Sequence, residues 1–524
     1  MDDRLTLIRF SDAPGLEQHL LGELEKLSGR GPEFWSRKHA PLRACCALAV
    51  RLGAVAAVIQ RRVHDPDFLA EYNTYYSRQF TDVTRHCVRV QLFAASPADD
   101  QSVLGYLDAP GTPASYLGFL TLRPVAATPV GASILRIPPD VGFIRCADQF
   151  PVHLAGHELD LLGVPFMQQD NAVGACAQAS IWMALRTLRR REGDRAHDPA
   201  QITGAATRYS ISGRILPNRK GLTQPQVVEA IRAAGYSPHP IHFAPGSNFT
   251  LGSQLDADQL SNARRVLHAY VESSIPVLLI LYPSTSGHAV VVIGHTFSAT
   301  PVHKDELAFS LKAGAVQITH AVSWVPEFVI HNDNSGPYLP LPQATKGSAY
   351  ALDQTYAAIP LLPADVFVSG EEALQFATTL WQDILEELTE SLNYQDAADL
   401  CGQFAVRLLL LKKRKIRAWA ASSTVAPEVR EHLRLADLPR RVWVLELHLK
   451  EEYGAHASER ASSLVGFILL DSTSDAASTA MLFIYLNFPA FSDTDKGTLI
   501  VATAAEWKAI QIEATPPVIP FRDL

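Results

Sequence analysis

This sequence predicts an α+β fold: a helix opened by a lone cysteine, packed on an antiparallel sheet, with mixed helix–strand modules on either side. Three observations predict it. The chain has 524 residues, more than one hydrophobic core usually serves, so two or three domains are expected. Apolar runs of strand length at 276–282, 289–293 and 327–333 have a near-continuous character that suggests a sheet covered on both faces. Within 151–365, Gln169, Cys176, His288 and Asp333 follow one another in that order.

Residues 1–150 read as an N-terminal α+β module. The spacing of Leu48, Leu52, Val55 and Ile59 predicts a helix over 44–62. Strands are predicted at 86–93, 116–123 and 133–137; in the first, Val88, Val90 and Leu92 alternate with Cys87, Arg89 and Gln91. The stretch 95–113 carries Pro, Asp and Gly and reads as loop. The middle module, 151–365, has a helix beginning at Cys176. A second is signalled by Thr223-Gln224-Pro225-Gln226, a capping box with proline in the first turn. Val227, Val228, Ile231 and Ala234 supply its apolar face and Gly235 its stop. The stretches 251–267 and 334–348 read as loops. In the C-terminal α+β module, 366–524, Ser369-Gly370-Glu371-Glu372 caps a helix expected to bury Leu374, Ala377, Leu380, Trp381, Ile384, Leu385 and Leu388. Strands are predicted there at 442–449, 464–470 and 481–487.

Composition excludes several classes. With 47% apolar and 19% charged residues the chain is globular and not disordered. A net charge of −8, from 46 basic and 54 acidic residues, gives no electrostatic footprint for nucleic acid. No apolar h-region of signal-peptide length follows Met1-Asp2-Asp3-Arg4, and the apolar stretch 44–59 is interrupted by Arg51 and short for a membrane span. A cytoplasmic protein without a membrane span is expected. The six cysteines (Cys45, Cys46, Cys87, Cys146, Cys176, Cys401) are scattered and fit reduced thiols better than a disulfide framework.

The chemistry follows from the residue types. A cysteine attacks a carbonyl as thiolate, and a free thiol is mostly protonated at neutral pH. A helix N-terminus and a nearby imidazolium both lower its pKa. Cys176 has the first device, and His288 is expected to supply the second and later to protonate the leaving amine. Asp333, at the end of the next strand, would fix the tautomer of His288. Gln169 and the Cys176 backbone N–H would donate to the oxyanion of the tetrahedral intermediate.

The stretches Val164-Pro165-Phe166, Gln169, Cys176-Ala177, Ala179-Ser180, Gly221-Leu222-Thr223, Gly287-His288-Ala289-Val290-Val291-Val292 and His331-Asn332-Asp333 resemble the papain-like cysteine peptidase superfamily, and within it the C39-like bacterial peptidases. The resemblance covers residues about 160–345. It implies a papain-like core with Gln169 as oxyanion donor, Cys176 as nucleophile, His288 as base and Asp333 as orienting group. It also implies a protein or peptide substrate, and no metal or organic cofactor. The sequence departs from the pattern in having Cys-Ala for Cys-Gly and Asp-Asn for Asp-Pro. Gln168 is an alternative to Gln169, and Asn332 or Asn334 to Asp333. No ABC-transporter segment is attached.

The function expected is therefore hydrolysis of a peptide or isopeptide bond by a Cys-His-Asp triad. Two alternatives stand beside it: a transglutaminase-like thiol acyltransferase, and a binding module on an inactive peptidase fold. The flanking modules are expected to select a protein substrate or to bind a partner protein, and the loops 95–113 and 251–267 to cover the cleft. His153 and His157 have the i, i+4 spacing of helical metal ligands, but with no glutamate after the first histidine and with Gly156 between them they read as ordinary loop histidines. The run Lys412-Lys413-Arg414-Lys415 reads as the solvated end of a buried helix. Cys45-Cys46 read as core.

Overall fold

The computed structural model describes residues 4–35, 39–80, 82–125, 127–170, 176–192, 197–209, 221–244, 249–345, 348–390, 393–422, 424–455, 463–487, 496–502, 507–513, 517–518 and 520–521. It is an α+β protein with three sheets built mostly from antiparallel pairs. Packing divides the chain into two compact units: 1–254 with 275–294 and 328–361, and 255–274 with 295–327 and 362–524.

The first unit opens with a seven-stranded sheet. Its strands are β1 (Leu5–Arg9), β2 (Ala56–Val63), β3 (Cys87–Phe93), β4 (Tyr116–Leu122), β5 (Ser133–Arg136), β6 (Asp148–Leu154) and β7 (His157–Phe166), in the order β1-β2-β3-β4-β5-β7-β6. Helices α1 (Ala13–Ser28), α2 (Ala40–Arg51), α3 (Pro66–Thr74) and α4 (Val103–Leu107) accompany it. The helix expected over 44–62 stops at Arg51. Gly53 then takes φ 90°, and 56–63 is a strand. Residues 56–59 are buried without interruption, so their run lacks the period-2 signature of a strand with one wet face. Within the expected loop 95–113, Ser102 accepts the N–H of Gly105 and caps α4. His153 and His157 lie on the paired strands β6 and β7, joined by a tight turn in which Ala155 and Gly156 both have positive φ, and not in a loop. Gly163 lets β7 pass close to β5: a Cβ there would lie 2.6 Å from the Leu135 carbonyl oxygen.

Helices α5 (Cys176–Glu192), α6 (Pro199–Ala206) and α7 (Gln224–Ala233) follow in the first unit. The Gln226 side chain accepts the Thr223 N–H at 2.9 Å, as the capping box requires. Along the chain come β8 (Tyr236–Pro238), α8 (Ala257–Glu272), β9 (Val277–Leu281), β10 (His288–His295), β11 (Glu306–Leu311), β12 (Gly314–His320), β13 (Phe328–Asn332), β14 (Gly336–Leu341) and β15 (Thr355–Pro363). Six of these strands form the second sheet, in the order β14-β13-β10-β9-β15-β8. The segment 336–341, expected as loop, is the edge strand β14, the position in a sheet that tolerates Pro337 and Pro340. The segment 251–267, expected as a cleft-covering loop, is largely helix α8, started by an Asp256–Gln259 capping box and belonging to the second unit. The α5 residues Ala179, Ile181, Trp182, Met183, Ala184, Leu185 and Leu188 join Leu278, Val291, Ile293, Val329 and Ile359 in the main core of the first unit.

The second unit is built on an eight-stranded sheet, β11-β12-β16-β17-β18-β19-β20-β21, whose remaining strands are β16 (Phe404–Lys412), β17 (Arg441–Leu449), β18 (Leu464–Asp471), β19 (Met481–Leu486), β20 (Lys496–Ala502) and β21 (Trp507–Glu513). Helix α9 (Gly370–Thr389) is capped as its sequence predicts, Ser369 Oγ accepting the Glu372 N–H at 3.2 Å. Ala377, Trp381 and Leu385 are buried and Leu374, Leu380 and Ile384 partly so; the Leu388 side chain lies outside the description. Helices α10 (Tyr394–Gly402), α11 (Lys413–Ser422) and α12 (Pro427–Leu435) belong to the same unit. Residues 408–411 are strand and not helix: Lys412 closes β16, and Lys413, Arg414 and Lys415 open α11. Among the described residues no helix is long and apolar enough to cross a membrane.

Candidate active site

Cys176 is the first residue of α5. Its Sγ accepts the backbone N–H of Ala289 at 3.3 Å, and one turn later Ser180 Oγ donates to the Ala289 carbonyl at 3.1 Å. Cys176 and Ser180 share a helix face, so both polar groups of one β10 residue are satisfied by α5. The thiol is thereby set beside the strand start that carries His288. Residues 171–175, between the glutamines and Cys176, lie outside the described residues.

His288 opens β10, and its Nε2 lies 3.0 Å from Asn332 Oδ1, at the end of the neighbouring strand β13. An amide oxygen only accepts, so Nε2 carries the hydrogen and Nδ1 the lone pair. Asp333 Oδ1 is 3.5 Å from the same Nε2. Asn332 Oδ1 also accepts the Asn334 N–H at 3.0 Å, which fixes the amide's orientation. Asn334 Nδ2 is 3.4 Å from His288 Nδ1, and Asn334 Oδ1 accepts from Gln169 Nε2 at 3.3 Å. The Tyr350 ring covers the imidazole, with centroids 4.6 Å apart. The sequence reading missed Tyr350, which is far along the chain in a segment with no motif. Of the three acidic or amide partners it offered, Asn332 makes the hydrogen bond to Nε2, Asn334 lies 3.4 Å from Nδ1, and the Asp333 carboxyl is 3.5 Å from Nε2.

The ionisation of the site differs from the expectation of a lowered thiol pKa. Burial pushes Cys176 up to about 11, the Asp333 charge adds to the rise, and the N–H groups of Ala289, Ala177 and Cys176 oppose it. Burial lowers the pKa of His288, against the favourable hydrogen bond that Nε2 donates to Asn332. Asp333 is pushed up to about 8 by burial, against the nearby backbone N–H groups of Asp333, Asn334 and Gln169. Neither of its oxygens forms a full hydrogen bond. Desolvation thus outweighs the helix N-terminus, and at neutral pH the resting site holds a neutral thiol, a neutral imidazole and a protonated carboxyl.

The two glutamines have different surroundings. Gln168 is buried; its Oε1 lies 3.3 Å from the Val130 N–H and its carbonyl accepts from Arg123 Nη2 at 2.9 Å. Gln169 is half-buried and faces Asn334. Strand β7 delivers both. The Pro165 carbonyl accepts from His331 Nδ1 at 3.2 Å, and Val164 N–H donates to Tyr338 Oη at 2.8 Å. Burial lowers His331 to about 3, so this ring stays neutral and holds one tautomer. On the other side Arg123, 1% exposed, pairs with Glu71 at 2.9 Å, and Tyr76 Oη donates to the Asp170 carboxylate at 2.6 Å. These clamps hold 164–170 by groups distant in the chain, and no local sequence signal announced them.

Cys45, Cys46, Cys87, Cys146 and Cys401 are buried, whereas Cys176 is partly exposed. No protein-family model matches the chain, and a search of curated proteins returns no match.

Proposed function

We propose that the protein is a cysteine peptidase with a papain-like arrangement, hydrolysing a peptide or isopeptide bond in a protein substrate. The observation that carries the reading is the Cys176 thiol at the start of α5, bonded to the residue that follows His288, with the His288 ring held between Asn332 and Tyr350. His288 Nδ1 takes the thiol proton as sulfur attacks the carbonyl carbon, so the thiolate forms at the moment of attack and is not stored as an ion pair. Asn332 Oδ1 accepts from Nε2 and holds the ring as the imidazolium forms. Gln169 Nε2 and the Cys176 N–H donate to the oxyanion. The C–N bond then breaks, with the amine leaving with the proton from His288. Water attacks the thioester by the reverse proton path to release the acid and the thiol. The N-terminal sheet has a part in this scheme because it clamps the segment bearing Gln169.

The test is covalent labelling. An acyloxymethyl ketone probe, mapped by mass spectrometry, is expected to modify Cys176 in preference to the five buried cysteines, and Cys176→Ala to abolish both labelling and turnover with the fold retained. Labelling spread evenly over several cysteines, or turnover undiminished in Cys176→Ala, would remove the mechanism.

A further inference from the structure

The second unit holds a buried polar cluster that the proposed peptidase chemistry does not use. His268 and Glu272 stand one turn apart on α8, and His295 is the last residue of β10. One side-chain ligand atom from each lies within 4.8 Å of the other two, and all three residues are buried. The i, i+4 pair on a helix joined by a third ligand from a strand is a common way to build a metal site, because residues four apart share a helix face.

Two details point to a cation. His295 Nδ1 is 2.9 Å from the Thr296 carbonyl oxygen, which only accepts, so this nitrogen carries the hydrogen. Nε2 of a neutral ring is then a lone pair, and it faces Glu272 Oε1 at 2.8 Å. Two acceptors at that distance need a cation with them. The outward N–H to a backbone carbonyl is also the contact that metal-ligating histidines use to fix their tautomer. The second detail is His268, 1% exposed, whose Nδ1 has no hydrogen-bond partner. A proton shared by His295 and Glu272 would satisfy that pair and leave His268 unserved; a metal ion serves all three. His320, whose ring is 5.7 Å from that of His268, is excluded as a ligand because its Nδ1 accepts the Val322 N–H and its Nε2 must therefore carry the hydrogen. Arg407 Nη1 donates to the other Glu272 oxygen, Oε2, at 3.1 Å.

We propose that His268, Glu272 and His295 bind one divalent transition-metal ion of the zinc class, with a water or other small donor completing the coordination. Nitrogen and carboxylate ligands suit zinc and cobalt. Tetrahedral coordination puts ligand atoms about 3.4 Å apart, so the side chains draw together on binding. Complete burial makes the ion a structural one that fastens α8 to His295 within the second unit, and it enters during folding.

The experiment uses the full chain in a Cys176→Ala background, which removes the exposed thiol as a competing ligand, refolded in the presence of Zn2+ or Co2+ and then dialysed. The expected result is one equivalent of metal by elemental analysis. The Co2+ form should show d–d absorption without a thiolate charge-transfer band, and it should unfold at a higher temperature than the metal-free protein. His268→Gln and Glu272→Gln, each checked by circular dichroism, should lower affinity by at least roughly tenfold. The proposal is overturned if the parent protein retains no stoichiometric metal and its unfolding is indifferent to both ions, a result that would assign the His295–Glu272 contact to a shared proton. Metal retained unchanged in folded His268→Gln would overturn it equally.

Discussion

Asp333 in the first unit and Glu446 in the second are carboxyl groups removed from solvent to the same extent, and they ionise in opposite ways. Asp333 is pushed up to about 8 by burial, with only backbone N–H groups against that shift. Glu446 is subject to the same desolvation, yet the Arg407 guanidinium at 2.7 Å, helped by His448, holds it at about 2. Burial therefore does not decide the charge of a carboxyl; a cation in contact does. Around Glu446 and Glu272 the fold supplies a guanidinium and makes a fixed ionic network. Around Asp333 it supplies amides and a neutral imidazole, and leaves proton positions that a reaction can change.

Three substitutions test the contrast. His288→Ala should slow acylation of Cys176 by an activated ester such as p-nitrophenyl acetate by roughly two to four orders of magnitude, the loss expected of a missing general base. Its thermal unfolding should move little, since the ring's partners are the side chains of Asn332 and Asn334. An unchanged acylation rate would mean that the imidazole takes no part in thiol activation. Arg407→Met should leave two buried carboxylates without their guanidinium and destabilise the protein by about 3–5 kcal/mol in a denaturant titration. A loss no larger than that of His288→Ala would erase the distinction between the two clusters.

The smallest effect concerns Asp333. Its folded pKa lies above the ordinary carboxyl value, so between that value and about 8 the native state binds a proton that the unfolded state has released. Wild-type stability should fall as pH rises through this window and level off beyond it. Asp333→Asn cannot ionise, so its stability relative to wild type should grow over the same window, with no difference below it. Parallel pH–stability curves for the two proteins would show that Asp333 is an ordinary carboxylate. In that case the hydrogen bond from His288 Nε2 to Asn332 Oδ1 would not be the main support of His288.

Much of this was legible in the chain. The capping boxes at Thr223 and Ser369 depend on residues three apart and marked the starts of α7 and α9. Near-continuous apolar runs marked β9, β10 and β13, strands were also expected at β17, β18 and β19, and Cys176 stands where a helix was expected to begin. Local patterns failed where burial erased their period. Continuous burial made β2 look helical, and Leu-rich β16 was taken for the end of a helix. Helix α8 was read as a loop although Asp256 and Gln259 form the same capping box as elsewhere.

The sequence by itself determined which residue types were available, that is a thiol at a helix start, a Gly-His strand start and an Asn-Asp strand end, because each is a local arrangement of neighbours. Only the tertiary structure decided that Asn332 and not Asp333 bonds His288, that Tyr350 covers the ring, and that Arg123 and His331 clamp the segment bearing Gln169. It also decided that the thiol rests protonated. Hydrogen-bond partners and desolvation are set by groups brought from more than 40 residues away (His288 and Asn332 are 44 apart), and no spacing along the chain encodes them.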